Sequence, residues 1–247
     1  MLPKSQLQFI KSLHQKKFRK EHGLFIVEGL KSITDFFHSD HIIHSIYSIP
    51  KVEPKIDIFG KKIKHYPISD HDLQTISTLK TPQGILALVE IPSRRHFDEG
   101  ELRNQYSIVL DTVQDPGNMG TIIRTADWFG VKHIICSQET VDIYNPKVVQ
   151  ATMGSLARIS VLYTDLRVFL KEVQLPIYAA MLNGESIYKT DFGTEGLIVL
   201  GNEGNGISAD LIDKETKPVT IPSFGNAESL NVAVSAAIFC SEISRKR

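Results

Sequence analysis

The chain has 247 residues, with 28 Lys and Arg against 28 Asp and Glu; it is 42% hydrophobic and 23% charged, with 16 Gly, 11 Pro and 2 Cys. That balance excludes a disordered chain, which would be less apolar, and a disulfide scaffold, which would need far more cysteine. Its longest apolar stretches are strand-sized, well short of the roughly 18 residues of a membrane helix, so no membrane span is expected.

From the N-terminus, residues 5–20 read as one polar, basic helix and 24–27 as a short strand. Over 29–38, Leu30, Ile33, Phe36 and Phe37 recur at helical spacing. Strand-like runs follow at 42–49, 56–59, 63–66 and 85–90, separated by Pro, Gly and Asp turns. These elements make a small α/β unit over residues 1–92, and the polar stretch 93–103 reads as a linker. A second rhythm occupies 104–247: strand 107–111, helix 119–129, strand 132–136, helix 146–156, strand 159–162, helix 166–173, strand 177–181, strands 197–200 and 219–221, and helix 230–243. Strands alternating with helices in this way predict a parallel sheet covered on both faces.

Zero net charge hides an asymmetry. Residues 1–92 carry 13 basic and 9 acidic side chains, and residues 93–247 carry 15 and 19. Lys11, Lys16, Lys17, Arg19 and Lys20 cluster without an acid among them, and Lys61, Lys62 and Lys64 form a second group. Such runs suit either a solvated helix face or phosphate contacts with a nucleic acid. Eight of the nine histidines precede residue 97 and none follows His133, so chemistry in the last hundred residues must proceed without imidazole. Cys136 and Cys240 lack CxxC partners and read as core residues, so no metal site is expected. The N-terminus has no signal-peptide apolar core, and a cytoplasmic location is the default expectation.

Parallel sheets bind ligands at the carboxyl ends of their strands, and three of the loops expected there are unusual. The first is Asp111-Thr-Val-Gln-Asp115-Pro-Gly-Asn118-Met-Gly120, opening a helix that carries Arg124. Asn118 reads as its N-cap, and Arg124, in the first turns, suits either a phosphate or plain solvent. The second, Leu200-Gly201-Asn202-Glu203-Gly204-Asn205-Gly206, follows a strand, but it lacks both the dinucleotide GxGxxG context and a P-loop lysine. The third, Ile221-Pro-Ser-Phe-Gly-Asn-Ala-Glu228-Ser229-Leu230-Asn231, opens the last helix with Ser229 as its expected cap. A cap alone does not account for so many Asn, Glu and Ser residues at one junction.

Taken in this order, the three segments resemble the motifs of the SpoU/TrmH family of RNA ribose 2′-O-methyltransferases, in the SPOUT superfamily. The matching patterns are Asp115-Pro-x-Asn118-x-Gly120-x-x-x-Arg124-Thr-Ala, Leu200-Gly-Asn-Glu203-Gly-x-Gly206, and Ile221-Pro followed by Glu228-Ser229-Leu-Asn231-Val. Residues 5–90, with Phe18-Arg19-Lys20-Glu21 and Phe25-Ile26-Val27-Glu28-Gly29, look like the family's ribosomal-protein-like substrate-binding domain.

The resemblance implies an α/β fold with a deep trefoil knot in the C-terminal domain. It further implies S-adenosylmethionine held by the knot's loops and a homodimer with the active site at its interface. Carried over by position, cofactor contacts fall on Leu200, Gly201, Gly206, Ile221 and Leu230. The catalytic set is Arg124, Asn118, Glu203, Ser229 and Asn231, and Lys16, Lys17, Arg19 and Lys20 are the candidates for RNA contact. A guanidinium does not deprotonate in proteins, so Arg124 is expected to hold a phosphate rather than act as a base. The family arrangement favours large-subunit rRNA over tRNA as substrate. A tRNA 2′-O-methyltransferase, a tRNA base methyltransferase and a noncatalytic RNA binder are the competing readings.

Overall fold

A computed structural model of the chain describes residues 2–52, 63–93, 99–202 and 204–245. The chain divides into two compact units, Met1–Ser93 with Asp142–Ala157, and Arg94–Val141 with Arg158–Arg247. The strand expected at 56–59, Lys61, Lys62 and Glu203 lie outside the described residues.

The first unit begins with α1 (Lys4–Ser12), α2 (Lys16–His22), β1 (Leu24–Glu28), α3 (Leu30–Phe37), β2 (Ile43–Ser48), β3 (Lys64–Pro67), α4 (Asp70–Ile76) and β4 (Ile85–Glu90). Its sheet has the order β1-β4-β2-β3, with β4 antiparallel to both β1 and β2, and β3 parallel to β2. Alternation along β1 sends Ile26 into a core with Ile10, Leu13, Tyr47, Leu73, Ile76, Leu86 and Leu88. Phe25 points the other way, to Phe36 of α3, with ring centroids 5.5 Å apart.

The single helix expected at 5–20 is two. Ser12 Oγ donates back to Phe9 O, and the chain breaks over residues 13–15. Arg19 supplies the missing donors, for its Nη1 donates to Leu13 O at 3.0 Å and His14 O at 2.8 Å. Its Nη2 meets Asp142 Oδ2 at 2.6 Å, and the residue is only 2% exposed. Arg19 therefore does not stand on the basic surface that the sequence suggested; it is buried and paired. Lys16, Lys17 and Lys20 remain exposed. The unread α4 opens at Ser69, whose Oγ accepts from Asp72 N at 3.1 Å, so Ser69-x-x-Asp72 was its sequence signature.

The second unit holds α5 (Glu99–Leu102), β5 (Tyr106–Leu110), α6 (Pro116–Trp128) and β6 (His133–Cys136). The chain leaves it after Val141, and α7 (Pro146–Thr152) packs on β1 in the first unit, where Tyr144 lies 4.6 Å from the Phe25 ring. The second unit resumes with β7 (Ser160–Tyr163), α8 (Leu166–Glu172), β8 (Ile177–Ser186), β9 (Gly196–Leu200), β10 (Lys217–Thr220) and α9 (Val232–Arg245). Its six strands are all parallel, in the order β10-β8-β9-β5-β6-β7. Val109, Ile135, Leu197 and Val199 bury one face against Leu166 and Leu170 of α8, while α9 packs against β9 and α6. The parallel α/β fold read from the sequence is present. No helix among the described residues is long and apolar enough to cross a membrane.

Candidate active site

The chain winds outward from β5 through β6 to β7, then returns to the opposite side of β5 with β9 as its neighbour. A doubly wound sheet opens a crevice at such a reversal, outside the carboxyl ends of its strands. The loops after β5 and β9 meet there, and those after β8 and β10 stand along the same edge.

Helix α6 begins three residues earlier than the sequence suggested. Asp115, not Asn118, is its N-cap, accepting from Asn118 N at 2.8 Å, and Pro116 takes the first helical position. Proline is preformed for that place because it needs no amide donor there and its φ is already helical. Arg124 consequently lies about two turns from the helix start, beyond the reach of the helix dipole. Its side chain is exposed and forms no ion pair with a described residue.

At the other helix, Asn231 rather than Ser229 is the cap. Its Oδ1 accepts from Ala233 N at 2.9 Å, and its Nδ2 donates to Asn118 Oδ1 at 3.0 Å. One side chain thus closes α9 and ties the third motif to the first. From this junction a groove of about 590 Å³ runs between α6 and α9, lined by Thr121 and Thr125 on one side and by Ala233, Val234, Ala237 and Ile238 on the other. The small residues of α9 leave this space open. Residues 223–231 are all exposed, among them Ser229, Leu230 and a Phe224 that is 97% exposed. Of the five candidate catalytic residues, the structure joins Asn118 and Asn231 directly. Arg124 and Ser229 are exposed on elements flanking that bond, without a described hydrogen bond to it.

The cofactor candidates occupy strand ends. Leu200 is buried as the last residue of β9, and Gly201 follows it. A Cβ on Gly201 would fall on the Gly206 backbone, so only glycine closes this loop. Asn202 and Gly206 exchange backbone hydrogen bonds of 3.0 and 2.8 Å, and Gly206 takes a φ of +68°. Ile221 leaves β10 half-buried.

Two features were missed in the sequence. The strand β8 continues past its expected end at residue 181, bulging over 180–184 beside β10 so that Met181 and Leu182 are exposed at the same edge. Thr220 Oγ1 pins this bulge by donating to Leu182 O at 3.0 Å. The second is the pair Asp111 and Thr112 after β5. Thr112 has a φ of +57°, a left-handed conformation costing a β-branched residue about 1–2 kcal/mol. Among the described residues no cluster of His, Cys, Asp and Glu is arranged to hold a metal.

The family model of the SpoU rRNA Methylase family matches residues 105–241, more than half of the chain and all of these loops. The chain belongs to the SpoU rRNA methylase family. The model of the MRM3-like substrate binding domain matches residues 4–87 of the chain. Over 232 residues it is 31% identical to the 23S rRNA (guanosine(2553)-2'-O)-methyltransferase RlmP of Bacillus subtilis, covering 92% of this chain and 91% of that protein. A TrmH-family protein from Porphyromonas gingivalis superposes on this chain with a TM-score of 0.90 at 34% identity, each chain covered completely. An AdoMet-bound rRNA methyltransferase from Sinorhizobium meliloti superposes with a TM-score of 0.88 at 27% identity, covering 100% of this chain and 96% of the other.

Proposed function

We propose that the protein transfers a methyl group from S-adenosylmethionine to a ribose 2′-hydroxyl of large-subunit rRNA. The observation that carries this reading is the Asn118–Asn231 hydrogen bond, which brings the first and third motifs together beside the strand ends bearing the second. Its support from relatives is that the RlmP of Bacillus subtilis is named a 23S rRNA 2'-O-methyltransferase and the Sinorhizobium meliloti protein is AdoMet-bound.

The residues present fit the cofactor. Gly201 lets the loop close on the Gly206 backbone without a Cβ in the way, and Met181, Leu182 and Leu230 offer exposed apolar surface. Such a mixture suits a molecule with an aromatic base at one end and an amino-acid tail at the other. Leu200, Gly201, Gly206, Ile221 and Leu230 would hold it. When bound, S-adenosylmethionine supplies an electrophilic methyl group on a sulfonium.

The chain's contribution is orientation, which lowers the barrier by removing the entropy of alignment. Arg124 donates from its planar guanidinium to the target nucleotide's phosphate. Asn118 and Asn231 fix the junction against which the ribose lies, and the exposed Ser229 hydroxyl completes the hydrogen bonding around it. Glu203 orients Arg124 and the substrate. The proton of the attacking hydroxyl leaves to a phosphate oxygen or water. Within this reading, residues 1–92 bind RNA, 93–103 link, and 104–247, apart from residues 142–157 that pack in the first unit, form the knotted methyltransferase domain. Two copies pair in the cytoplasm through the open groove between α6 and α9, rimmed by exposed Val234 and Tyr188.

The test is incubation of the purified protein and labelled S-adenosylmethionine with separated 16S rRNA, 23S rRNA and tRNA from cells lacking it. Label in 23S rRNA alone is the expected result. Label confined to tRNA would overturn the substrate assignment.

A further inference from the structure

Three non-glycine residues among those described have positive φ, and Thr112 alone of them is β-branched. Asn104 belongs to a residue type that tolerates this conformation, and Met153 caps α7. A strained residue at the reversal point of the sheet calls for an account of what holds it there. Four hydrogen bonds supply one. Thr112 N donates to Ser137 Oγ at 3.0 Å in the loop after β6. Thr112 O accepts from Asn202 Nδ2 at 2.9 Å in the loop after β9. Thr112 Oγ1 donates to Asp111 Oδ1 at 2.9 Å, and the other carboxylate oxygen, Oδ2, accepts from Ser208 N at 2.8 Å.

Asn202 and Ser208 bracket the second-motif loop. Asp111 and Thr112 therefore grip that loop at both ends, from a strand end that is itself 4% exposed at Asp111. Inside the bracket, Asn202 Oδ1 accepts from Gly204 N at 2.8 Å, so the residue held by Thr112 in turn shapes the loop's tip. An extended Thr112 would swing its carbonyl and hydroxyl away from these partners. The left-handed turn is what lets two consecutive residues reach both loop ends at once.

We infer that Asp111 and Thr112 are positioning residues, a latch that holds residues 201–202 and 204–208 in their cofactor-receiving shape before any ligand arrives. Neither touches reacting atoms; both act through Asn202 and Ser208 on Gly201 and Gly206. The inference rests on the reading of this loop as the S-adenosylmethionine site. Its physical basis is preorganisation: a loop already in its bound shape loses less freedom when it binds.

The experiment uses the full chain with Asp111→Ala, Thr112→Val and the conservative Thr112→Ser, which keeps the hydroxyl. Hydrogen exchange of the amides of 201–202 and 204–208 is read without ligand, and S-adenosylmethionine affinity is read by calorimetry. In Asp111→Ala and Thr112→Val the loop amides should lose protection and the cofactor Kd should rise about tenfold. Maximal turnover at saturating cofactor should stay within about threefold, because binding energy rather than the methyl-transfer step is affected. Thr112→Ser should resemble the wild type in all three. Asp111→Ala requires that the altered protein fold; Thr112→Val, which removes only the half-buried hydroxyl bond to Asp111 and keeps the backbone bonds to Ser137 and Asn202, keeps the test standing. Unchanged loop protection in Thr112→Val would overturn the latch. So would a loosened loop with unchanged cofactor affinity. A wild-type protein that does not bind S-adenosylmethionine would defeat the underlying reading and with it the assigned role, and the wild-type titration is read first to separate the two failures.

Discussion

Arg124 stands on an exposed face of α6, and its guanidinium offers hydrogen-bond donors and no acceptor, which suits it to hold a phosphate and unsuits it to accept a proton. Arg124→Ala should lower methyl transfer at least about 100-fold, the scale of a lost positioning contact, while cofactor affinity and unfolding midpoint stay at wild-type values. Near-normal turnover in that variant would remove Arg124 from the site. A second residue illustrates burial without catalysis. Tyr178 is 2% exposed and its hydroxyl donates to Phe192 O at 2.7 Å. Burial, with the nearby Tyr106 and Asp191, pushes its pKa up from 10.0 to about 12. The folded group therefore resists ionisation that the unfolded one permits, so its contribution to stability is complete below pH 10 and declines as pH rises toward 12. Tyr178→Phe should cost about 1–3 kcal/mol at neutral pH, because the Phe192 carbonyl loses its donor. Urea titrations at rising pH should show the gap between the two proteins closing, and a gap that widens would contradict the assignment.

Helices α6 and α9 flank the proposed site, and their caps separate stability from function. Asp115→Ala and Asn231→Ala should each lower unfolding free energy by about 1 kcal/mol, the usual worth of an N-cap, measured by urea denaturation. Asn231→Ala should also impair methyl transfer, because the same side chain bonds Asn118. Equal turnover in the two variants would show that the Asn118–Asn231 bond carries no function.

The order and type of these elements were legible because the apolar periods of 104–247 are regular and the polar residues gather at strand-to-helix junctions. The helix starts were misread where two residues compete for a cap. Pro116 decides the first case by accepting the opening position, and the second is decided by Asn231 reaching both its own helix and Asn118. The break at 13–15 was hidden because its carbonyls are satisfied by Arg19, a side chain that reads as a surface cation until its partner Asp142, 123 residues away, is known. The affiliation of α7 with the first unit was hidden for the same reason: its partners lie on β1, outside any local window. The left-handed turn at Thr112 breaks residue preference, which is why a reading by preference passed over it.

At the scale of the whole molecule, the proposed function assigns RNA binding to residues 1–92, where basic side chains outnumber acidic ones by 13 to 9, and methyl transfer to the C-terminal part. Lys16, Lys17 and Lys20 are the exposed cations of α2, and Arg19 is set aside for the fold. Replacing the three lysines with glutamine should weaken RNA binding and lower the slope of log affinity against log salt by about 2, with S-adenosylmethionine binding unchanged. Filter-binding titrations over a salt series would show it, and an unaltered slope would take α2 out of RNA recognition. The central claim is that the reaction is made on ribose. It is tested most directly by digesting RNA labelled by the purified protein and determining by mass which moiety holds the methyl group. The account predicts label in a nuclease- and alkali-resistant dinucleotide carrying a 2′-O-methyl ribose. Label in a methylated base, with an unmodified ribose beside it, would contradict it.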